Sequence, residues 1–121
     1  MSKKKILVVE DEKTLAQALL DKLTGSDFDV TLAYNGEDGL DKAKKIEPDL
    51  VLLDIIMPVM DGLTMLKELR RFSQVPVIIL TNLSSEESLS DAMVGGSYEY
   101  LVKSNYSLDE VIDRINNTLE K

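Results

Sequence analysis

Ile6-Leu7-Val8-Val9-Glu10-Asp11 joins an apolar run to a pair of acids, and the same construction returns further along the chain. Leu50-Val51-Leu52-Leu53 runs into Asp54, Val77-Ile78-Ile79-Leu80 into Thr81, and Tyr100-Leu101-Val102 into Lys103. A short run apolar at every position reads as a strand buried on both faces, the pattern of a parallel sheet covered by helices. Parallel neighbours would bring the carboxyl ends of these runs to one edge of the sheet, where open α/β sheets bind ligands. Glu10, Asp11, Asp54, Thr81 and Lys103 then converge although they are far apart in sequence.

Between the runs the apolar spacing becomes helical. Leu15, Leu19 and Leu23 beside Ala16 and Leu20 predict a first helix that Gly25 ends by taking a positive φ. Phe28, Val30 and Leu32 alternate with polar or small residues, which predicts an edge strand with one face less covered. Asn35 is placed to cap a second helix carrying Leu40, Ala43 and Ile46, and Pro48 should stop it at Glu47. A third helix is expected from about Leu63 to Arg71, with Leu63, Leu66 and Leu69 or the Arg70 stem facing the core. Ser84 and Glu87 have capping-box spacing ahead of Leu89, Ala92 and Met93, with Gly95-Gly96 as a stop. Ser107 and Glu110 repeat the box before Leu108, Val111, Ile112, Ile115 and Leu119. Strict alternation of buried strands and amphipathic helices predicts an α/β fold, five β-α units with right-handed crossovers and helices on both faces.

The 121 residues suit one domain, taken as 1–121, with a single core that needs neither disulfides nor a structural metal. Lys plus Arg is 14 against 22 for Asp plus Glu, a net charge of −8 that argues against direct nucleic-acid binding and favours cations or basic protein surfaces. The chain has neither cysteine nor histidine, which excludes thiolate and imidazole chemistry and leaves oxygen or lysine as nucleophile. No apolar run has the length of a membrane span or of a signal-peptide core, so a cytoplasmic protein with no membrane partner is the expectation.

An acid directly after a strand is often only a solvated loop residue or a helix cap. Taken together, Glu10, Asp11 and Asp54 also supply what Mg2+ requires, one or two carboxylates in a set of oxygen donors. With charge neutralised in that way, the Asp54 carboxylate is able to attack phosphorus and become an aspartyl phosphate. The Thr81 hydroxyl suits a strand end structurally, yet it can also donate to a phosphoryl oxygen. Lys103 reads either as a surface charge or as the partner of the acids and of the remaining phosphoryl oxygen. Tyr100 reads equally as a packing residue or as a ring on the outer side of the last strand pair that changes rotamer.

In order and spacing these residues resemble the receiver domain of two-component response regulators, including the single-domain, chemotaxis-regulator-like members, over essentially the whole chain. Glu10-Asp11 is similar to that family's acidic pair, Asp54 to its phosphoacceptor, and Met57-Pro58 with Asp61-Gly62 to its loop motif. Thr81 corresponds to the switch hydroxyl, Tyr100 to the switch aromatic and Lys103 to the family lysine. The resemblance implies a flavodoxin-like three-layer sandwich with sheet order 2-1-3-4-5. It also implies a Mg2+ requirement, with the Ile56 carbonyl completing the metal shell beside Glu10, Asp11 and Asp54. The phosphoryl group would come from a sensor histidine kinase or a phosphotransfer protein. Output would follow as altered protein binding by the last strand and last two helices, to a downstream protein or an output domain. The activity implied is self-phosphorylation and slow dephosphorylation, not turnover of an independent substrate.

The chain departs from the family pattern at several positions. Ser104 follows Lys103 where relatives usually have proline, so a trans bond is expected there. Asn82 replaces a small residue beside the switch hydroxyl and bears on access to Asp54. Ile56 and Leu83 are apolar where relatives carry groups that orient a water, which predicts slow loss of the phosphoryl group. A Mg2+-dependent phosphatase of the haloacid dehalogenase type would place a second acid at position 56, which is Ile56 here. A flavin or nucleotide carrier would need a phosphate loop where Glu10-Asp11-Glu12 stands. Freestanding regulator, phosphorelay intermediate and receiver of a longer protein stay open as roles.

Overall fold

The continuous apolar runs form the middle of one parallel sheet, and what lies above and below it follows from the alternation of their side chains. The computed structural model describes residues 3–54, 60–81 and 99–120, Ser104 by its backbone alone. Its strands are β1 (Lys5–Val9), β2 (Asp29–Ala33), β3 (Leu50–Leu53), β4 (Val77–Thr81) and β5 (Glu99–Val102). They pair in parallel in the order β2-β1-β3-β4-β5, the flavodoxin-like arrangement that the resemblance implies. β2 stands at one edge, as the alternating sequence predicts, but neither face is clearly the less covered: Val30, Thr31 and Leu32 are all partly covered and Ala33 is buried.

Because successive strand residues face opposite ways, each central strand feeds two cores. Leu7, Val9, Val51, Leu53, Val77 and Ile79 pack on one face with Ala43, Met65, Leu66 and Leu69, which come from α2 (Gly36–Ile46) and α3 (Gly62–Leu69). Ile6, Val8, Leu50, Leu52, Ile78 and Leu80 pack on the other with Leu19, Leu23, Val111, Ile112 and Ile115, from α1 (Lys13–Gly25) and α4 (Leu108–Leu119). The result is a three-layer sandwich. The helix expected around Leu89, Ala92 and Met93, with Ser84, Glu87 and Gly95-Gly96 at its ends, lies outside the described residues.

The end of α1 differs from the sequence reading. Gly25 is the last helical residue, and the positive φ falls at Asp27, at 72°. The Phe28 N–H donates to the Leu23 carbonyl at 3.2 Å and the Asp27 N–H to the Thr24 carbonyl at 3.1 Å, the paired bonds of a Schellman ending. Phe28 and Leu23 are buried in the same cluster, so the apolar contact at the start of β2 fixes where the chain reverses. A left-handed conformation costs a non-glycine residue roughly 1–2 kcal/mol. Asp27→Gly is therefore expected to raise stability by about 1 kcal/mol after the added entropy of the unfolded glycine, read as a higher urea midpoint.

The Asn35 side chain caps α2, accepting the Asp38 N–H at 2.8 Å. Glu47 ends the helix in the left-handed region at φ 49°, consistent with the bar that Pro48 places on a right-handed turn there. A side chain at Gly36 would collide with the Met60 carbonyl, which accepts the Gly36 N–H at 3.1 Å. This approach ties the start of α2 to the loop ahead of α3.

Asp61 caps α3 through the Thr64 N–H at 2.8 Å, so the helix starts one residue earlier than the apolar pattern suggests and ends at Leu69. Leu69 takes the buried position, while the Arg70 guanidinium turns to the Ser73 carbonyl at 3.2 Å. Both halves of the Ser107–Glu110 capping box are present at the start of α4. No peptide bond among the described residues is cis, so the Lys103–Ser104 step is trans as expected. It lies in a 3-10 turn, Lys103–Asn105.

Candidate functional site

Sheet register delivers the chemistry to one edge. Val9 pairs with Leu53 across β1 and β3, so Glu10 and Asp54 are the next residues of neighbouring strands, where backbones lie about 4.8 Å apart. Thr81 is the last residue of β4 and pairs with Val102, which immediately precedes Lys103. Backbone bonds extend both central strands past their last apolar residue. The Glu10 N–H donates to the Ala33 carbonyl at 2.9 Å and the Asp54 N–H to the Val9 carbonyl at 3.0 Å. Both acids thus begin on rigid backbone.

Glu10 is 2% exposed, Asp54 6% and Thr81 0%. Asp11 stands at the surface. One carboxylate oxygen from each of Glu10, Asp11 and Asp54 lies within 4.8 Å of the other two. Lys103 reaches back across the sheet and places its ammonium 2.8 Å from Glu10 Oε1 and 3.3 Å from Asp54 Oδ2. The other Glu10 oxygen accepts the Glu12 N–H at 3.1 Å. Lys103 was expected to partner the acids, but that its shorter contact is with Glu10 is not visible in the spacing. It depends on a long side chain reaching past two intervening strands.

Burial pushes the Glu10 carboxyl up from 4.5 to about 7; the Lys103 hydrogen bond opposes that rise and the Asp54 charge reinforces it. Burial works against the Lys103 ammonium, yet the Glu10 hydrogen bond and the two carboxylate charges outweigh it and hold Lys103 above its ordinary value. A buried acid that binds its proton more tightly when folded stabilises the fold fully below its unfolded value. That contribution is lost as pH rises through the folded value. Without divalent cations, the Glu10 contribution should therefore decline between about pH 4.5 and about pH 7. Urea midpoints should show that decline in the parent chain, and Glu10→Gln should flatten it.

The donors of this cluster are carboxylate oxygens, the chemistry of a hard divalent cation. Each carboxylate oxygen accepts more than one bond, so the contacts to Lys103 and Glu12 leave lone pairs for a cation. The cluster fits Mg2+ on these grounds. Tyr100 is half-buried and packs against the core on the α2 and α3 face. Ile56, Asn82 and Leu83, together with Met57-Pro58, lie outside the described residues. Among the described helices none is long and apolar enough to cross a membrane.

A family model of the response regulator receiver domain matches residues 6–116. The chain is similar to the transcriptional regulatory protein BaeR of Escherichia coli, 37% identical over 117 residues that cover 97% of this chain and 48% of that protein. It is also similar to the solved receiver domain of Francisella response regulator 1452, with a TM-score of 0.89 at 36% identity, covering 97% of each chain. The BeF3-activated N-terminal receiver domain of Klebsiella pneumoniae RstA superposes with a TM-score of 0.91 at 30% identity, covering 98% of this chain and 100% of that one. The chain spans about half the length of the curated relatives it matches.

Proposed function

This chain belongs to the response regulator receiver domain family, and on that premise we propose that it is a switch that accepts a phosphoryl group on Asp54. The observation that carries the reading is the buried Asp54 carboxylate, which shares the Lys103 ammonium with Glu10 in a cluster of three acids. Glu10, Asp11 and Asp54 would hold Mg2+, with the Ile56 carbonyl. When bound, Mg2+ neutralises charge that would otherwise repel a phosphate dianion.

Asp54 is the nucleophile. One of its oxygens forms the bond to phosphorus while the P–N bond of a phosphohistidine on a partner kinase or phosphotransfer protein breaks, and the imidazole nitrogen keeps the electron pair. The strands have already fixed the carboxylate, so catalysis rests on positioning and on charge. Lys103 sits within reach of the new phosphoryl oxygens and compensates their charge, and the Thr81 hydroxyl donates to another. Displacement of Thr81 and rotation of Tyr100 shift an existing equilibrium toward a different protein-binding face, formed by β5, α4 and the helix that the sequence leads one to expect before β5. A downstream protein or an output domain reads that face.

The chain itself is the acceptor of the phosphoryl group in this chemistry, consistent with a family of signalling switches. The direct test is incubation with a small phosphodonor and Mg2+, read by intact mass. One added phosphoryl group, abolished by a chelator, is the expected result. An unmodified mass under conditions that phosphorylate another receiver domain would overturn the reading.

A further inference from the structure

Lys103 has a second set of attachments, directed away from the acids. It opens the 3-10 turn Lys103–Asn105, and its carbonyl accepts the Tyr106 N–H at 3.4 Å. Tyr106 packs against the core on the α1 and α4 face, and the Arg114 guanidinium of α4 lies 5.6 Å from the Tyr106 ring centroid. Within 6 Å the negative face of an aromatic ring attracts such a cation. The same guanidinium donates from Nη1 to Glu99 Oε1 at 3.0 Å. The Thr118 hydroxyl lies 3.3 Å from Glu99 Oε2 and 2.9 Å from the Arg114 carbonyl. Glu99 opens β5 and immediately precedes Tyr100.

Arg114 is thus held from two sides, by a ring three residues beyond Lys103 and by a carboxylate one residue before Tyr100. The Arg114–Glu99 pair is partly open to water, with side-chain exposures of 45% and 26%, so water weakens it and it cannot by itself lock α4 to β5. The Tyr106 ring gives Arg114 its second contact, beside the Thr118 hydroxyl bond that also joins α4 to Glu99. That ring is coupled to Lys103 through one short, hydrogen-bonded turn.

We propose that the Lys103–Tyr106 turn and the Arg114 guanidinium form a latch that passes movement of Lys103 to α4 and to the start of β5. The inference rests on the reading above, in which Lys103 compensates the phosphoryl oxygens on Asp54, and adds that Lys103 leaves Glu10 in doing so. It adds a route to the output face that is separate from Thr81 and Tyr100. When Lys103 moves, its carbonyl and the Tyr106 ring move with it, Arg114 loses one of its two supports, and the Glu99–Thr118 end of the network rearranges. Such a shift extends only as far as the two states differ in these contacts.

The test adds beryllofluoride with Mg2+, as a stand-in for the phosphoryl group, to the parent chain and to Tyr106→Leu, Tyr106→Phe and Arg114→Gln, reading backbone amide shifts. In the parent, the amides of Thr81, Lys103, Ile115 and Thr118 should all move. In Tyr106→Leu and Arg114→Gln the Thr81 and Lys103 shifts should persist, while those of Ile115 and Thr118 fall about threefold or more. Tyr106→Phe keeps the ring and should match the parent. Arg114→Gln keeps Tyr106 and its packing, so it decides the matter should Tyr106→Leu fail to fold. Undiminished shifts at Ile115 and Thr118 in Arg114→Gln overturn the latch, as does a parent whose Thr81 and Lys103 amides move while Ile115 and Thr118 stay still. A parent in which Thr81 and Lys103 themselves do not move overturns the phosphoacceptor reading, and the latch with it.

Discussion

Replacing Asp54 by asparagine is expected to lower phosphoryl incorporation by more than about a thousandfold, because the amide cannot serve as the oxygen nucleophile. The fold should survive. Asp54 begins on backbone fixed by the bond from its N–H to the Val9 carbonyl, and asparagine has nearly the same shape. Removing the negative charge also relieves the repulsion that Asp54 exerts on Glu10. Stability without divalent cations should therefore change by no more than about 1 kcal/mol. Intact mass after treatment with a phosphodonor and a urea unfolding curve check the two halves of the prediction on one preparation. Equal incorporation in parent and Asp54→Asn would move the acceptor to another residue.

Replacing Lys103 by methionine should have opposite effects on metal and on switching. The ammonium lies 2.8 Å from Glu10 and 3.3 Å from Asp54, so an incoming divalent cation meets a repelling charge beside its own ligands. Charges at such distances, at a protein-surface dielectric, interact by about 5–6 kcal/mol before screening. A quarter of that, about 1.4 kcal/mol, corresponds to a roughly tenfold rise in Mg2+ affinity. Methionine keeps the unbranched apolar stem, so packing is largely retained. The phosphoryl group would meanwhile lose the cation that compensates it, so beryllofluoride should still bind while the Thr81 amide response shrinks. Titration of Mg2+ against the parent and Lys103→Met, followed by amide shifts, reads both effects. Weaker Mg2+ binding in the variant would show that Lys103 organises the acids instead of competing for them.

The sheet was legible in the sequence because its central strands are buried on both faces and so are apolar at every position. The strand ends follow from that, and with them the convergence of Glu10, Asp54 and Thr81 on one edge. The caps at Asn35 and Ser107 were equally readable, since capping depends on a side chain and an N–H three residues apart. Helix ends set by tertiary contact were less so. Gly25 looked like the stop for α1, but the contact between Leu23 and Phe28 carries the reversal to Asp27 instead. In the sequence Asp61 matches a loop motif, and nothing there marks it as the cap of α3. The division of Lys103 between Glu10 and Asp54 was hidden for a different reason. Lys103 directly follows β5, which lies three places from β1 in the sheet, and no local pattern records how far a flexible side chain reaches. The Arg114 contacts with Glu99 and Tyr106 were hidden in the same way, since helical periodicity marks Arg114 only as lying off the apolar face.

The central claim is that strand ends distant in sequence make one site whose nucleophile is the buried Asp54 carboxylate. The most direct measurement treats the parent chain with a small phosphodonor and Mg2+, reduces the acyl phosphate with borohydride and locates the modified residue by peptide mass. Reduction at position 54 alone, with none when the metal is chelated, is the predicted result. Modification at Glu10 or Asp11 with Asp54 untouched would contradict the account.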